Sequence, residues 1–308
     1  MPSLRVSPLL YRRITLFALV ALGFIIVTGA GVRLTSSGLG CTDWPACTDD
    51  QFVAELDIHQ MIEFVNRTIT GIVSLAVILA VLASLLRDPR RRDLTWLSLG
   101  LVGGVLVQIV LGGIVVKVGL APIFVTLHYL ASILLVWNAY VLHHRAGQPA
   151  GPAVAVVAPR VVAKGRALVA LSLLVLVTGT FVTGAGPHAG DAKAPRYSLD
   201  IGDVARVHGI AVWCFLALAV ITLSGLRRTG APEQVDRHGR WLVAAILAQG
   251  AIGYTQYFTG VPPALVVLHI LGSVLVFLAA LSFHLSLFTR GASVPRDALA
   301  VDFDDARL

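Results

Sequence analysis

Charge is scarce in this sequence. Of 308 residues, 13% are Asp, Glu, Lys or Arg and 56% are hydrophobic, with a mean hydropathy of +0.83. An ordinary soluble domain is roughly 25% charged, so this chain lacks the polar groups to cover a water-facing surface. No stretch is long and polar enough to form a separate soluble domain, which excludes a soluble enzyme held by a membrane anchor. Cysteine is scarce too: three residues are too few for a disulfide scaffold. The net charge of +7 would suggest nucleic acid in a soluble protein. Here the orientation of membrane spans accounts for it, because cytoplasmic loops collect Lys and Arg. Nucleic acid is therefore not an expected partner.

What is present is apolar sequence in long runs. Eight segments stand out, at about 14–32, 61–86, 94–116, 123–142, 167–186, 204–226, 241–259 and 264–288. Each approaches the ~20 residues that a helix needs to span a bilayer. The first ends in Thr28-Gly-Ala-Gly-Val-Arg33 without a small-residue cleavage pattern, so it is expected as a retained helix. Alternate connections differ sharply in charge. One set, which includes both termini, holds 18 of the 24 Lys and Arg residues, and the other holds 6. This predicts a multi-pass protein of the cell membrane with both termini cytoplasmic. The acidic tail from Asp302 to Asp305 does little to oppose that orientation.

The chain also repeats itself. Val27-Thr-Gly-Ala-Gly31 recurs as Val182-Thr-Gly-Ala-Gly186. Later positions match at a constant offset: Gln108 with Gln249, Gly112 with Gly253, Gly119 with Gly260, Pro122 with Pro263, His128 with His269, and Ser132 with Ser273. Each half holds four segments, an even number, so both halves enter the membrane from the same side. The expected fold is all-α and integral to the membrane: eight transmembrane helices arranged as two parallel-repeat four-helix bundles. The expected units are an N-terminal half at 1–145, a cytoplasmic linker at 146–166, a C-terminal half at 167–290 and a cytoplasmic tail at 291–308.

Polar groups in a hydrocarbon core are costly and usually functional. His128, His208 and His269 fall within about two turns of the outer ends of segments four, six and eight. A lone histidine there is ordinarily a satisfied interhelical hydrogen bond. Three at one depth point instead to iron ligation, with His208 and His269 facing each other in one bundle. In the N-terminal half, aligning Asn66-Arg67 with His208-Gly209 puts Asn66 where a second ligand is expected, and an amide is a poor ligand for iron. His59, two turns earlier on the same helix face, either reaches an iron or caps the helix. Glu63 shares that face. It is either paired structurally with Arg67 at i+4 or an acid–base or charge-stabilising group beside a substrate. His143 and His284 are read as interfacial, and His188 and His238 as loop residues.

Cys41 and Cys47 lie in the longest outer loop, where two close thiols form a disulfide or, less readily, bind metal. Cys214 is read as a small core residue. Gly100, Gly104, Gln108 and Gly112 form a stripe at i, i+4 spacing, echoed by Ala245, Gln249 and Gly253. The stripe either packs helices closely or leaves room for a flat macrocycle.

Taken together, the Gly38-Leu-Gly-Cys-Thr-Asp-Trp-Pro-Ala-Cys47 loop, Glu63-Phe-Val-Asn-Arg67 and the three histidines resemble the haem A synthase family. The resemblance extends from the first segment through the eighth. It implies an enzyme that oxidises a ring methyl group of haem O to a formyl group. It implies His208 and His269 as ligands of a haem b cofactor, His128 facing the substrate haem, Glu63 as catalytic, and Cys41 with Cys47 as a disulfide. The partners implied are haem O, membrane lipid, the haem O-producing enzyme and the terminal oxidase assembly. Asn66 departs from the family's Glu-x-x-His-Arg motif, and residues 187–203 lack the cysteine pair some members carry. The substrate iron is accordingly expected on His128, with either His59 or no second protein ligand opposite. The open face is favoured, because an iron-centred oxidation needs an exchangeable position. An electron-transferring cytochrome b and a transporter are the alternatives. The first needs no haem substrate, and the second needs polar groups at the midplane rather than at one leaflet.

Overall fold

The described residues of the computed structural model are 5–291. Among them are eight α-helices: α1 (Pro8–Leu34), α2 (Ile58–Leu86), α3 (Arg92–Lys117), α4 (Pro122–Ala146), α5 (Pro159–Ala185), α6 (Ile201–Arg228), α7 (Glu233–Phe258) and α8 (Pro263–Ser286). Helices suit lipid because every backbone group inside them is satisfied within the segment. Seven of them are long and apolar enough to cross a membrane, which makes this a multi-pass membrane protein. The exception is α7. Its first turn carries Glu233 and Asp236, and Gln249 and Gln256 lie farther along it.

The helix starts follow from capping chemistry. Ser7 accepts a hydrogen bond from Leu10 N, Asp57 from His59 N and Gln60 N, and Asp200 from Asp203 N. Pro8, Pro122, Pro159 and Pro263 stand in the first turns of their helices, where a missing N–H leaves nothing unpaired.

Neighbouring helices pack in two matching sets. Helix α1 touches α2 and α4, while α3 touches α2 and α4. Likewise α5 touches α6 and α8, while α7 touches α6 and α8. Between the sets, α1 meets α8, α4 meets α5, and α4 meets α8. One apolar core runs through this junction and includes Leu22, Val136, Leu176 and Phe277. The α3–α4 and α7–α8 turns share a backbone shape. Gly119 and Leu120 have φ +60° and +61°, and Gly260 and Val261 have +79° and +59°. Left-handed residues in succession reverse the chain tightly, and a β-branched residue adopts that conformation only when its surroundings fix it.

The expected linker is shorter than 146–166. The connection is 147–158, and Arg160, Lys164 and Arg166 belong to α5. It is not wholly irregular, because strand β1 (Ala153–Ala155) pairs antiparallel with β2 (Phe288–Arg290) just after α8. This small sheet and an isolated parallel bridge between Val6 and Arg87 are the β-structure among the described residues. Of the expected tail, 292–308 lies outside the described residues, as do Arg296, Arg307 and the acidic run Asp302 to Asp305. His238 lies in α7 rather than a loop, with Nδ1 2.7 Å from Gln234 O. Cys214 is exposed on α6 rather than part of the core.

Candidate functional site

A cavity of about 1070 Å³ opens between the helices. That is at the upper end of the ~300–1,000 Å³ usual for small-molecule and cofactor sites. Both halves line it. Glu63, Asn66 and His128 enter from one half, His208 and His269 from the other. The histidines that the sequence placed at one depth therefore converge on one space.

His208 sits on α6. Its Nδ1 lies 3.1 Å from Thr178 Oγ1, which itself donates to Leu174 O and Val175 O. The threonine thus accepts the Nδ1 proton and leaves the Nε2 lone pair available. His269 sits on α8, with Nδ1 2.9 Å from Gln249 Nε2. Glycines back all three rings. A Cβ on Gly179 would come 3.2 Å from His208 Cε1, one on Gly253 2.9 Å from His269 Cε1, and one on Gly112 3.5 Å from His128 Cε1. Part of the glycine stripe thus makes room for imidazoles. The remainder packs helices: a Cβ on Gly104 would stand 2.4 Å from Leu135 Cδ1. Ligand histidines ordinarily donate through their second nitrogen to an acceptor; Thr178 supplies one to His208, whereas the atom facing His269 Nδ1 is the Gln249 amide nitrogen, a donor. The residues present fit a haem held between them. His128 differs, since its Nδ1 is buried without a hydrogen-bond partner among the described residues.

On the other side of the cavity, Glu63 is buried on α2. Its Oε2 accepts from Cys41 N at 2.8 Å and its Oε1 from Arg67 Nη2 at 2.6 Å. Arg67 also donates to Asp43 O and Ala46 O, 2.9 Å each, and lies over the Trp44 ring at 5.0 Å. Glu63 and Arg67 form the ion pair of the first reading, and both also line the cavity. Cys41 and Cys47 form a disulfide in the loop that this pair holds down.

Asn66 Oδ1 accepts from Thr28 Oγ1 at 2.8 Å, and Thr28 belongs to the repeated Val-Thr-Gly-Ala-Gly segment. His59 is exposed, bonds Ser37 Oγ through Nδ1 at 3.0 Å, and is not among the cavity-lining residues. His143 Nδ1 meets Thr15 Oγ1 at 3.2 Å on the opposite side of the helices' midpoint. No group of three or more His, Cys, Asp and Glu side chains suited to a bare metal ion occurs among the described residues.

Among the cavity-lining residues, Arg33, Tyr129 and Gly179 were not singled out as site residues in the sequence, and Trp44 figured there only as part of the cysteine loop. Arg33 donates to Thr183 O at 2.8 Å and to His188 O, so it ties α1 to the C-terminal end of α5. Only the repeat offered a clue, because Arg33 and His188 each stand six residues after the equivalent Val27 and Val182.

Residues 12–196 match the COX15-CtaA family, described as cytochrome oxidase assembly protein. A haem A synthase of Exiguobacterium sibiricum is 27% identical over 175 residues, 55% of this chain and 58% of that protein. One of Lysinibacillus sphaericus is 28% identical over 118 residues, 38% of each chain. One of Listeria welshimeri is 29% identical over 123 residues, 39% of this chain and 40% of that protein. The chain thus spans between about two fifths and three fifths of the length of these curated relatives. With the family match extending through more than half of its residues, the chain belongs to the cytochrome oxidase assembly protein family, COX15-CtaA.

Proposed function

We propose that the protein oxidises a ring methyl group of haem O to a formyl group, producing haem A. The observation that carries this reading is a single cavity that receives two supported histidines from one half and His128, Glu63 and Asn66 from the other. A protein that merely carried electrons would need the first set alone.

In this reading His208 and His269 hold haem b through Nε2. When bound, that group supplies a one-electron carrier beside the substrate. His128 holds the substrate iron from one side. Asn66, tethered by Thr28, keeps its amide N–H groups free to donate toward the opposite face, where no imidazole stands. His59 is engaged by Ser37, which supports the open face over ligation by His59. Glu63, fixed by Cys41 and Arg67, stabilises positive charge as the methyl carbon loses electrons or takes its proton.

We also infer two parallel four-helix halves in the cell membrane, with both termini cytoplasmic. Gly38 N donates to Gly190 O at 2.9 Å, so α1 and α5 end on one side. The β1–β2 pairing brings the ends of α4 and α8 together. The Lys and Arg excess assigns that second side to the cytoplasm and the disulfide to the outside. The haem O-producing enzyme and the terminal oxidase assembly are the partners this reading implies, with membrane lipid around the helices.

Co-expression with a haem O-producing enzyme, followed by haem extraction and mass analysis, tests the function. Haem A is the expected product, and recovery of haem O and haem b alone overturns the reading. His208→Ala and His269→Ala are each expected to abolish the low-spin haem spectrum, whereas His59→Ala leaves spectrum and product unchanged.

A further inference from the structure

The cavity is walled toward lipid differently in the two halves. On α6 the buried residues Phe215, Ala219 and Thr222 fall in register with buried Val73, Val77 and Ala80 on α2. That register pairs His208 with Asn66, and it pairs Trp213 with Gly71. The offset that pairs His269 with His128 likewise pairs Tyr254 on α7 with Gly113 on α3. In the C-terminal half Trp213 Nε1 donates to Tyr254 OH at 3.0 Å. Both side chains line the cavity and both are exposed on their other side. The pair therefore bridges α6 and α7 as an aromatic wall between cavity and lipid.

In the N-terminal half both wall positions are glycine. The room beside Gly113 is taken by the Trp44 indole, which would lie 2.6 Å from a Cβ there. Beside Gly71 nothing stands in for Trp213, because a Cβ there would meet no atom within 4 Å among the described residues beyond its own helix. Thr70 on α2 and Ile109 on α3 line the cavity next to this gap, and Ile109 is also exposed. Between α2 and α3 the cavity thus reaches the lipid-facing surface.

We propose that the gap beside Gly71 seats the isoprenoid chain of haem O. This rests on the reading above, in which the substrate occupies the N-terminal half. Haem O and haem b share a macrocycle, and a long hydrocarbon chain on the ring edge is the chief difference between them. The two halves differ in the matching way. The half closed by Trp213 and Tyr254 holds a ring system alone, and the half without that closure has room for a chain to leave the ring. Gly71 lies five residues past Asn66, about 7.5 Å farther along α2 at 1.5 Å per residue. That places it near the middle of a helix spanning Ile58–Leu86, at the depth of the bilayer's hydrocarbon core. The chain stays in apolar surroundings, which its transfer from water favours, while Glu63, Asn66 and His128 face the ring. Selection of haem O over a chainless haem then comes from side chains that are missing rather than from contacts that are added.

Binding measurements on the purified protein carrying its haem b test this. The protein is titrated in detergent with haem O and with mesohaem, a chainless haem of distinct mass, and the bound haems are extracted and quantified by mass. Wild type is expected to take up both and to prefer haem O. Gly71→Trp rebuilds the wall found in the other half. It should weaken haem O binding about tenfold or more, the scale on which a hydrophobic pocket discriminates, and leave mesohaem binding and haem b content unchanged. Gly71→Leu fills the gap with less bulk and should give a smaller loss of the same kind; it carries the test if the indole variant does not retain haem b. Haem O binding equal to wild type in a variant that retains haem b overturns the inference and leaves the proposed function intact. So does an equal loss of haem O and mesohaem, because the ring rather than the chain is then excluded, and so does a wild type without preference. A wild-type protein that takes up neither haem overturns the proposed function and the inference together.

Discussion

Glu63 is held from two directions, by a backbone N–H of the α1–α2 loop and by the Arg67 guanidinium one turn along its own helix. Both contacts favour a carboxylate of fixed orientation at the cavity wall. Glu63→Gln keeps the shape and an acceptor for Cys41 N but removes the charge. Arg67 retains its bonds to Asp43 O and Ala46 O, so the loop stays in place. Haem b content and membrane insertion are therefore expected to survive, while haem A formation falls about 10²-fold, the scale for removing a preorganised electrostatic group. Product yield equal to wild type would assign Glu63 to loop anchoring alone. At this scale the sequence was legible where partners are close along one helix, as for Glu63 with Arg67. It was silent on Thr28 with Asn66 and Thr178 with His208. Those pairs join different helices, and their meeting depends on rotations about helix axes that spacing does not encode.

The loop between α1 and α2 is an element built to sit on two helices. At Gly40 a Cβ would stand 2.4 Å from His59 O, so only glycine allows the loop to lie on the start of α2. On α3, Gly113 provides the seat for Trp44: a Cβ there would come 2.6 Å from Trp44 Cδ1. Cys41 and Cys47 are buried beneath this arrangement. Gly113→Ala is predicted to expel the indole at a cost of about 1–3 kcal/mol, the range for overpacking. The disulfide, slow to react with a water-soluble thiol reductant in the native wild type, should be reduced much faster in the variant. Equal rates would show that Trp44 does not close the loop. Apolar runs located all eight helices but not their ends, which are set by polar caps outside the runs: Ser7, Asp57 and Asp200. Helix α7 begins at Glu233, eight residues before its apolar run. The β1–β2 pair was invisible for a simpler reason, since three-residue strands carry no periodicity to read.

At the scale of the whole molecule, the sequence carries a repeat, but it does not carry the contacts that join its N-terminal and C-terminal helices. Lipid gives no hydrophobic drive for helices to associate, so packing and polar contacts must hold the halves together. Those present are specific. Trp137 meets Phe277 edge to face, with ring centroids 5.9 Å apart; Tyr129 bonds Ser273; and Arg33 bonds two carbonyls at the end of α5 and the loop beyond it. Leu176, Val274 and Phe277 are buried in the same core as Leu22 and Val136. The covalent connection at 147–158 is then not what unites the halves. Cleavage at a protease site inserted there is predicted to leave both fragments co-purifying in mild detergent with haem b retained. Phe277→Ala removes a buried aromatic ring at that junction, a loss of about 3–5 kcal/mol. In the uncut chain the linker keeps the local concentration of the two halves high, so the variant should still carry haem. In the cut chain the same variant should separate into two fragments. Separation of the cut wild-type protein would show instead that the linker holds the halves together, and that the shared core is a consequence of their being tethered.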